Sequence, residues 1–178
     1  MNIVLIGYRC SGKTAIGRVL AHELGMSFAD TDVMIEEDAG ESIETIIKTK
    51  SWDYFRNLES DVIKRVSEKD NQVIATGGGV VVNQKNVKAL KKDGWAVWLD
   101  ARPEVLKERM EKEQQSGNIR PSLTETDPLA EIEAVMNARR PMYQKAGDFV
   151  VDTTGLSEPE AAALIMKNLP AKLKAKKG

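Results

Sequence analysis

The fold is decided by IVLIGYRCSGKT at residues 3–14, a short apolar run followed by a glycine-rich loop. The two glycines, Gly7 and Gly12, allow the backbone to turn so that successive N–H groups point inward at the start of a helix. Lys13 supplies a compact positive charge for the β- and γ-phosphates, and the Thr14 hydroxyl is a hard oxygen ligand suited to Mg²⁺. The segment therefore predicts a strand, a phosphate-binding loop and a helix in a nucleotide-binding protein.

The composition is that of a single globular domain. The chain has 178 residues, of which 42% are hydrophobic, and 26 basic residues nearly balance 27 acidic ones. This balance argues against a general nucleic-acid binder. Cys10 is the single cysteine, which excludes internal disulfides and a cysteine zinc cluster and suits a reducing compartment. We expect a cytoplasmic protein with neither a signal peptide nor a membrane span.

Short apolar, β-branched runs alternate with segments of helical periodicity. Strands are predicted at residues 2–6, 27–31, 72–76, 95–99 and 148–152. Helices are predicted at residues 13–24, 33–38, 43–67, 84–92, 103–115, 128–146 and 158–173, the third being split near Lys50. The alternation predicts one α/β domain over residues 1–178, a three-layer α/β/α fold with a five-stranded parallel sheet.

Residues 114–127 form a polar stretch without periodicity that is longer than a usual connection. Such a segment is often a mobile lid over an active site, and Arg120 followed by Pro121 favours that interpretation over an ordinary surface insertion.

Acidic residues follow two of the predicted strands. Asp30 and Asp32 end the second strand, and a strand's period of two predicts that both carboxylates face one side. One carboxylate could hold Mg²⁺ and the other could accept a hydrogen bond from a substrate hydroxyl. Alternatively, Asp32 could cap the next helix, with Asp30 in a turn. Asp100, after the fourth strand, competes with Asp30 for the magnesium role. We favour Asp30 because Asp100 suits a cap ahead of the helix at Pro103.

Arginines at two places suggest binding of an anion. Arg56 lies one helical turn after Trp52 and three residues before Glu59, so it either pairs with Glu59 at the surface or grips a substrate carboxylate. In the helix predicted at residues 128–146, Arg139 or Arg140 lies on the helix face that carries the regularly spaced apolar residues. One of them is expected to contact the ligand while the other reaches the surface.

A run of three glycines, residues 77–79, follows the buried strand at residues 72–76. Without side chains, this loop can approach a ligand or the phosphate loop closely, and its backbone N–H groups become available. A plain tight turn is the alternative.

Together these motifs resemble shikimate kinase, a small member of the nucleoside-monophosphate-kinase-like P-loop proteins, over nearly the whole chain. In sequence order, they are the phosphate loop at residues 7–14, Phe28-x-Asp30-x-Asp32, Phe55-Arg56-x-x-Glu59, the glycines at residues 77–79, Arg120-Pro121, and Arg139-x-Pro141-x-Tyr143.

The resemblance implies a P-loop kinase fold with a helical shikimate-binding segment at residues 32–61 and a mobile lid at residues 114–127. It implies transfer of the ATP γ-phosphoryl group to the 3-hydroxyl of shikimate in chorismate and aromatic amino-acid biosynthesis. The expected partners are ATP, ADP and shikimate, with Mg²⁺ as cofactor. The expected state is a monomer that binds neither nucleic acid nor membrane.

The resemblance also implies roles for individual residues. The expected catalytic residues are Lys13, Asp32 and Arg120. The expected ATP-binding residues are Cys10, Ser11, Gly12, Lys13, Thr14, Ala15, Arg120 and Arg109, the last resembling an adenine-stacking arginine. The expected shikimate-binding residues are Asp32, Arg56, Gly78, Gly79 and Arg139. The expected magnesium ligands are Thr14 and Asp30.

Three other interpretations compete with this one. A gluconate-type kinase uses the same scaffold, but the combination of Asp32, Arg56 and Arg139 suits a carboxylated polyol ring better. A nucleotide-dependent switch is suggested by Asp-Thr-Thr-Gly at residues 152–155, but no Asn-Lys-x-Asp guanine motif exists in the sequence. A catalytically dead binding module is disfavoured because Lys13, Asp32 and Arg120 are all present.

Overall fold

The computed structural model describes residues 1–115 and 128–174. The strands are β1 Asn2–Ile6, β2 Ser27–Asp30, β3 Gln72–Ala75, β4 Gly94–Asp100 and β5 Phe149–Asp152. The helices are α1 Lys13–Leu24, α2 Thr31–Ala39, α3 Ile43–Thr49, α4 Trp52–Ser67, α5 Gln84–Lys92, α6 Pro103–Gln115, α7 Pro128–Ala146, α8 Glu158–Lys167 and α9 Ala171–Lys174. A single 3₁₀ turn, Val80–Val82, precedes α5.

The five strands form one parallel sheet in the order β2-β3-β1-β4-β5. The central strand β1 is buried on both faces, and its side chains alternate between two cores. Ile3 and Leu5 pack with side chains of α1 and α8, whereas Val4 and Ile6 pack with side chains of α4, α5 and α7. The predicted three-layer α/β fold is thereby confirmed.

The helices α2, α3 and α4 pack around a smaller core made by Ile35, Ile46, Phe55 and Val62. The predicted break near Lys50 is confirmed: α3 ends there, and the Ser51 hydroxyl accepts a bond from the N–H of Tyr54 at 3.0 Å to cap α4.

Beyond shifts of one residue at the ends of several elements, two predicted helices differ from the structure. Helix α2 begins at Thr31 instead of residue 33, because Asp30 is its N-cap. The helix predicted at residues 158–173 is two helices. The first ends at Lys167, and Pro170, which has no N–H to continue a helix, separates it from α9.

In parallel α/β sheets, ligands bind beyond the carboxyl ends of the strands. At this edge β1 leads into the phosphate loop, β2 into Asp30 and Asp32, and β3 into the glycines at residues 77–79. None of the helices within the described ranges is long and apolar enough to cross a membrane.

Candidate active site

The side chain of Lys13 lies within the phosphate loop. Its ammonium group donates to the carbonyl oxygens of Gly7 at 2.9 Å and Tyr8 at 2.7 Å. The loop requires glycine at both predicted positions, since Gly7 has φ 147° and Gly12 has φ 95°. A Cβ on Gly7 would also come within 2.3 Å of the Leu99 carbonyl oxygen.

The variable residues of the phosphate loop contact the helices on either side of residues 116–127. Tyr8 packs among apolar side chains of α6 and α7. Arg9 forms an ion pair with Glu131 of α7 at 2.8 Å. Cys10 adopts φ 62° and its thiol donates to Glu113 of α6 at 3.3 Å. These contacts leave no local pattern in the sequence, because they join residues about a hundred positions apart.

Thr14 and Asp30 are brought together at the start of α1. The Thr14 hydroxyl donates to Oδ2 of Asp30 at 2.7 Å. The other oxygen of Asp30 accepts from the N–H groups of Asp32 at 3.1 Å and Val33 at 3.4 Å. Asp30 is therefore both the cap of α2 and the partner of Thr14.

The position of Asp32 corrects the reasoning from the sequence. Asp32 lies in the first turn of α2, not on strand β2, so the period of a strand does not orient it. The alternative in which Asp32 caps the helix is also wrong, because Asp30 caps it. Both acids nevertheless line one cleft, since the helix starts immediately after the strand.

A second carboxylate, Glu59 of α4, faces Asp32 across Gly77. A Cβ on Gly77 would lie 2.7 Å from Oδ1 of Asp32 and 3.1 Å from Oε1 of Glu59. Glu59 is only 1% exposed, and burial raises the pKa of its carboxyl; Arg56 opposes this rise and the nearby Asp32 adds to it.

Arg56 is held on several sides. Its Nη1 donates to both oxygens of Glu59, at 3.0 and 2.9 Å. The guanidinium carbon lies 5.5 Å from the ring centre of Trp52 and 5.1 Å from that of Phe55. The pair with Glu59, one of the two alternatives from the sequence, is observed, but Glu59 is buried and not at the surface. Glu59 itself is an additional site residue, which its spacing of three from Arg56 could have indicated.

The two neighbouring arginines of α7 have different surroundings. Arg139 lines the cleft, and its Nη1 donates to the Gly78 carbonyl oxygen at 3.3 Å. Arg140 pairs with Asp100 at 2.9 Å and lies over the ring of Trp98. Asp100 also accepts from the N–H of Ala101 at 3.0 Å. The geometry therefore favours Arg139 over Arg140 for ligand contact and leaves Asp100 engaged outside the cleft.

Arg109 lies beside the phosphate loop. Its guanidinium donates to the carbonyl oxygen of Cys10 at 3.3 Å and to Thr153, at 3.2 Å to the hydroxyl and 2.9 Å to the carbonyl oxygen. It therefore joins the loop to the residues that follow β5. Arg120 and residues 116–127 of the predicted lid lie outside the described residues.

These groups surround one cleft of about 420 Å³ beside the phosphate loop. Its polar lining is Arg9, Thr14, Asp30, Asp32, Glu36, Ser42, Glu44, Arg56, Glu59, Glu113 and Arg139, with the three glycines at residues 77–79. The cleft thus joins a nucleotide cradle to a pocket with both carboxylates and guanidinium groups.

A family model described as "Shikimate kinase" matches residues 9–170. The chain belongs to the shikimate kinase family. The "Shikimate kinase" of Symbiobacterium thermophilum is 44% identical over 169 residues, which are 95% of this chain and 96% of the relative. That of Thermodesulfovibrio yellowstonii is 43% identical over 93% of each chain.

Solved shikimate kinases have the same fold. The enzyme from Acinetobacter baumannii, solved in complex with shikimate, is 30% identical and superposes with a TM-score of 0.87 over 93% of this chain and 90% of that one. The enzyme from Aquifex aeolicus is 35% identical, with a TM-score of 0.79 over the whole of both chains.

These comparisons confirm the predicted family, fold class and function. The chain is an ATP-dependent small-molecule kinase, a shikimate kinase that transfers a phosphoryl group to an alcohol acceptor in the shikimate pathway. A switch and a dead binding module are thereby ruled out as interpretations. The roles of individual residues stay predictions.

Proposed function

We propose that the cleft holds shikimate next to the γ-phosphate of ATP and that residues 32–61 are its main binding segment. The observation that carries this proposal is the convergence of Asp32, Arg56 and Arg139 on the cleft that Thr14 of the phosphate loop also lines. A carboxylated polyol ring needs cationic groups that bind its carboxylate and a hydrogen-bond acceptor for its hydroxyl. This cleft offers both within reach of the phosphate donor.

Phosphoryl transfer depends mainly on positioning and charge neutralisation. Lys13 keeps its ammonium group within the phosphate loop through two carbonyl oxygens, where it meets the β- and γ-phosphates. Backbone N–H groups of residues 10–15, at the start of α1, bind the phosphates. Arg109 lies on the other side of the loop, beside Thr153, where it contacts the adenine.

The donor set also suits Mg²⁺. The Thr14 hydroxyl and Oδ2 of Asp30 lie 2.7 Å apart at the phosphate loop, and both are hard oxygen ligands. Within the described residues no group of three or more His, Cys, Asp or Glu side chains could hold a metal. That agrees with a Mg²⁺ held by one or two protein oxygens and by substrate phosphates. When bound, the ion neutralises charge on the transferring phosphoryl group.

Asp32 orients the 3-hydroxyl of shikimate and accepts its proton. Its first-turn position in α2 directs it into the cleft, and the neighbouring Glu59 is buried against Arg56. A carboxylate in the cleft is a suitable acceptor for a hydroxyl proton as the new bond to phosphorus forms.

The carboxylate of shikimate is bound by the guanidinium groups of the cleft. Arg56 and Arg139 supply cationic donors, and the Gly78 and Gly79 backbone supplies N–H groups. Arg120, from the predicted lid at residues 114–127, supplies a further positive charge to the transferring group.

We further propose that the enzyme acts as a monomer in the cytoplasm. The lone thiol of Cys10 lies in the phosphate loop, which suits a reducing compartment.

A coupled ADP-release assay with shikimate, quinate and gluconate as acceptors tests this proposal. We expect turnover with shikimate that requires Mg²⁺ and that Lys13→Ala abolishes. Full activity of Asp32→Ala would remove this residue from the mechanism. Turnover with gluconate but not with shikimate would overturn the acceptor assignment.

A further inference from the structure

The carbonyl group of Gly78 is held by two side chains of α7. The hydroxyl of Tyr143 donates to it at 2.5 Å, and Nη1 of Arg139 donates to it at 3.3 Å. The two residues are four positions apart, so they lie one above the other on the same face of the helix. Tyr143 has no role in the transfer as described so far.

Tyr143 is itself firmly placed. Its side chain is only 2% exposed, and its ring stacks on Trp98 of β4 with ring centres 5.7 Å apart and planes at 16°. Burial raises the pKa of its hydroxyl to about 12, so the group remains a hydrogen-bond donor at neutral pH.

The glycine loop is tightly enclosed between the phosphate loop and Arg56. A Cβ on Gly78 would lie 3.1 Å from the backbone nitrogen of Arg9. A Cβ on Gly79 would lie 2.3 Å from Nη2 of Arg56. The loop has no side chains of its own that could fix its rotation. The carbonyl groups of Gly77 and Gly79 accept from the N–H groups of Val80 and Val82, and the bond from Tyr143 helps to set how the peptide between Gly78 and Gly79 is turned.

The planarity of the peptide unit gives this bond a consequence at the cleft. In a trans peptide the carbonyl of one residue and the N–H of the next point in opposite directions. Because the Gly78 carbonyl points to Tyr143 and Arg139, the Gly79 N–H points away from both of these bonds, and Gly79 lines the cleft.

We propose that Tyr143 is a positioning residue for the acceptor, because its hydroxyl turns the Gly78–Gly79 peptide so that the N–H of Gly79 meets the acceptor's carboxylate. The inference rests on the proposed function, in which this loop and Arg139 bind that carboxylate. Tyr143 then affects how tightly the acceptor binds, and it affects neither the chemical step nor ATP binding.

The variant Tyr143→Phe tests the inference in the full chain, since phenylalanine keeps the ring that stacks on Trp98. We expect the KM for shikimate to rise about 3- to 10-fold, as for the loss of one positioning hydrogen bond. We expect kcat and the KM for ATP to stay within about twofold of wild type. Ser27→Ala is the control, because it removes an exposed hydroxyl that donates to a backbone carbonyl oxygen, that of Asn71 at 3.3 Å, and Ser27 does not line the cleft.

Two further measurements separate positioning from general stability. With the methyl ester of shikimate, whose carbonyl oxygen is a weaker acceptor than the anionic carboxylate, the KM ratio between Tyr143→Phe and wild type should be smaller than with shikimate. In the Arg139→Ala background the effect of Tyr143→Phe on the shikimate KM should shrink, because both residues act on one carbonyl group.

An unchanged shikimate KM in Tyr143→Phe would overturn the inference, as would an equal penalty with the ester. The outcome for Arg139→Ala is a separate test. If that variant keeps the wild-type KM for shikimate, the proposed carboxylate site itself is wrong. If it raises the KM and Tyr143→Phe does not, only the role of Tyr143 is wrong.

Discussion

The guanidinium of Arg9 and the carboxylate of Glu131 form a 2.8 Å ion pair that joins the phosphate loop to α7, the helix that carries Arg139. The Arg9 side chain is 12% exposed and that of Glu131 is 2% exposed, so both charges are largely removed from water. The pair therefore connects the nucleotide cradle to the acceptor side of the cleft through buried charge.

Loss of one member of this pair should destabilise the protein strongly. We expect Glu131→Gln to lower the free energy of unfolding by more than about 1 kcal/mol, because it removes the carboxylate from a largely buried ion pair. Urea denaturation measures the change. Glu44→Gln is the control, since its pair with Lys48 is exposed and should contribute less than about 0.5 kcal/mol. Equal effects of the two variants would contradict the prediction.

Arg139 and Arg140 form a matched pair for testing the carboxylate site. Arg139→Ala should raise the KM for shikimate about 10- to 100-fold, as for the loss of a charge-assisted bond. Arg140→Ala should change it less than about threefold, because Arg140 pairs with Asp100 outside the cleft. Steady-state kinetics with shikimate as the varied substrate measure both. A larger effect from Arg140 would reverse the assignment.

Gly79→Ala should disturb Arg56 without straining the backbone. Gly79 has φ −96°, which alanine adopts, but the added Cβ would lie 2.3 Å from Nη2 of Arg56. We expect the KM for shikimate to rise by about 10-fold through displacement of this guanidinium. In Gly155→Ala the added Cβ meets nothing within 4 Å, so its kinetics should match wild type. A wild-type KM for shikimate in Gly79→Ala would show that Arg56 can move without weakening shikimate binding.

The contribution of Glu59 to the free energy of unfolding should decrease as pH rises. Its pKa in the folded protein is raised by burial, although Arg56 opposes the rise. The contribution of this carboxyl to stability is therefore fully present below its ordinary pKa of about 4.3 and is lost as pH rises through the raised value. The free energy of unfolding of wild type minus that of Glu59→Gln should fall across this window. A difference that rises with pH would mean that pairing with Arg56 outweighs burial.

The sequence was sufficient for the elements whose pattern is local. The apolar runs located all five strands. The sequence placed Asp32 at the site for a wrong reason, because it assigned this residue to strand β2. The side chain of Asp30 caps α2, so the helix begins earlier than its apolar pattern indicates.

Contacts between distant parts of the chain could not be predicted in this way. Arg9 and Glu131 are 122 positions apart, and Tyr143 and Gly78 are 65 positions apart. Neither pair leaves a periodic signal, because each depends on how helices pack against the sheet. The choice between Arg139 and Arg140 had the same difficulty, since one helical step separates a cleft-lining side chain from one paired with Asp100.

Identification of the reaction product tests the central claim most directly. Wild-type enzyme, shikimate, ATP and Mg²⁺ can be followed by ³¹P and ¹H NMR until the ATP is consumed. We predict one equivalent of ADP for each shikimate phosphorylated, with the new phosphorus coupled to the proton on carbon 3. Release of ADP without phosphorylated shikimate, or phosphorylation at another hydroxyl, would contradict the account of the cleft given by Asp32, Arg56 and Arg139.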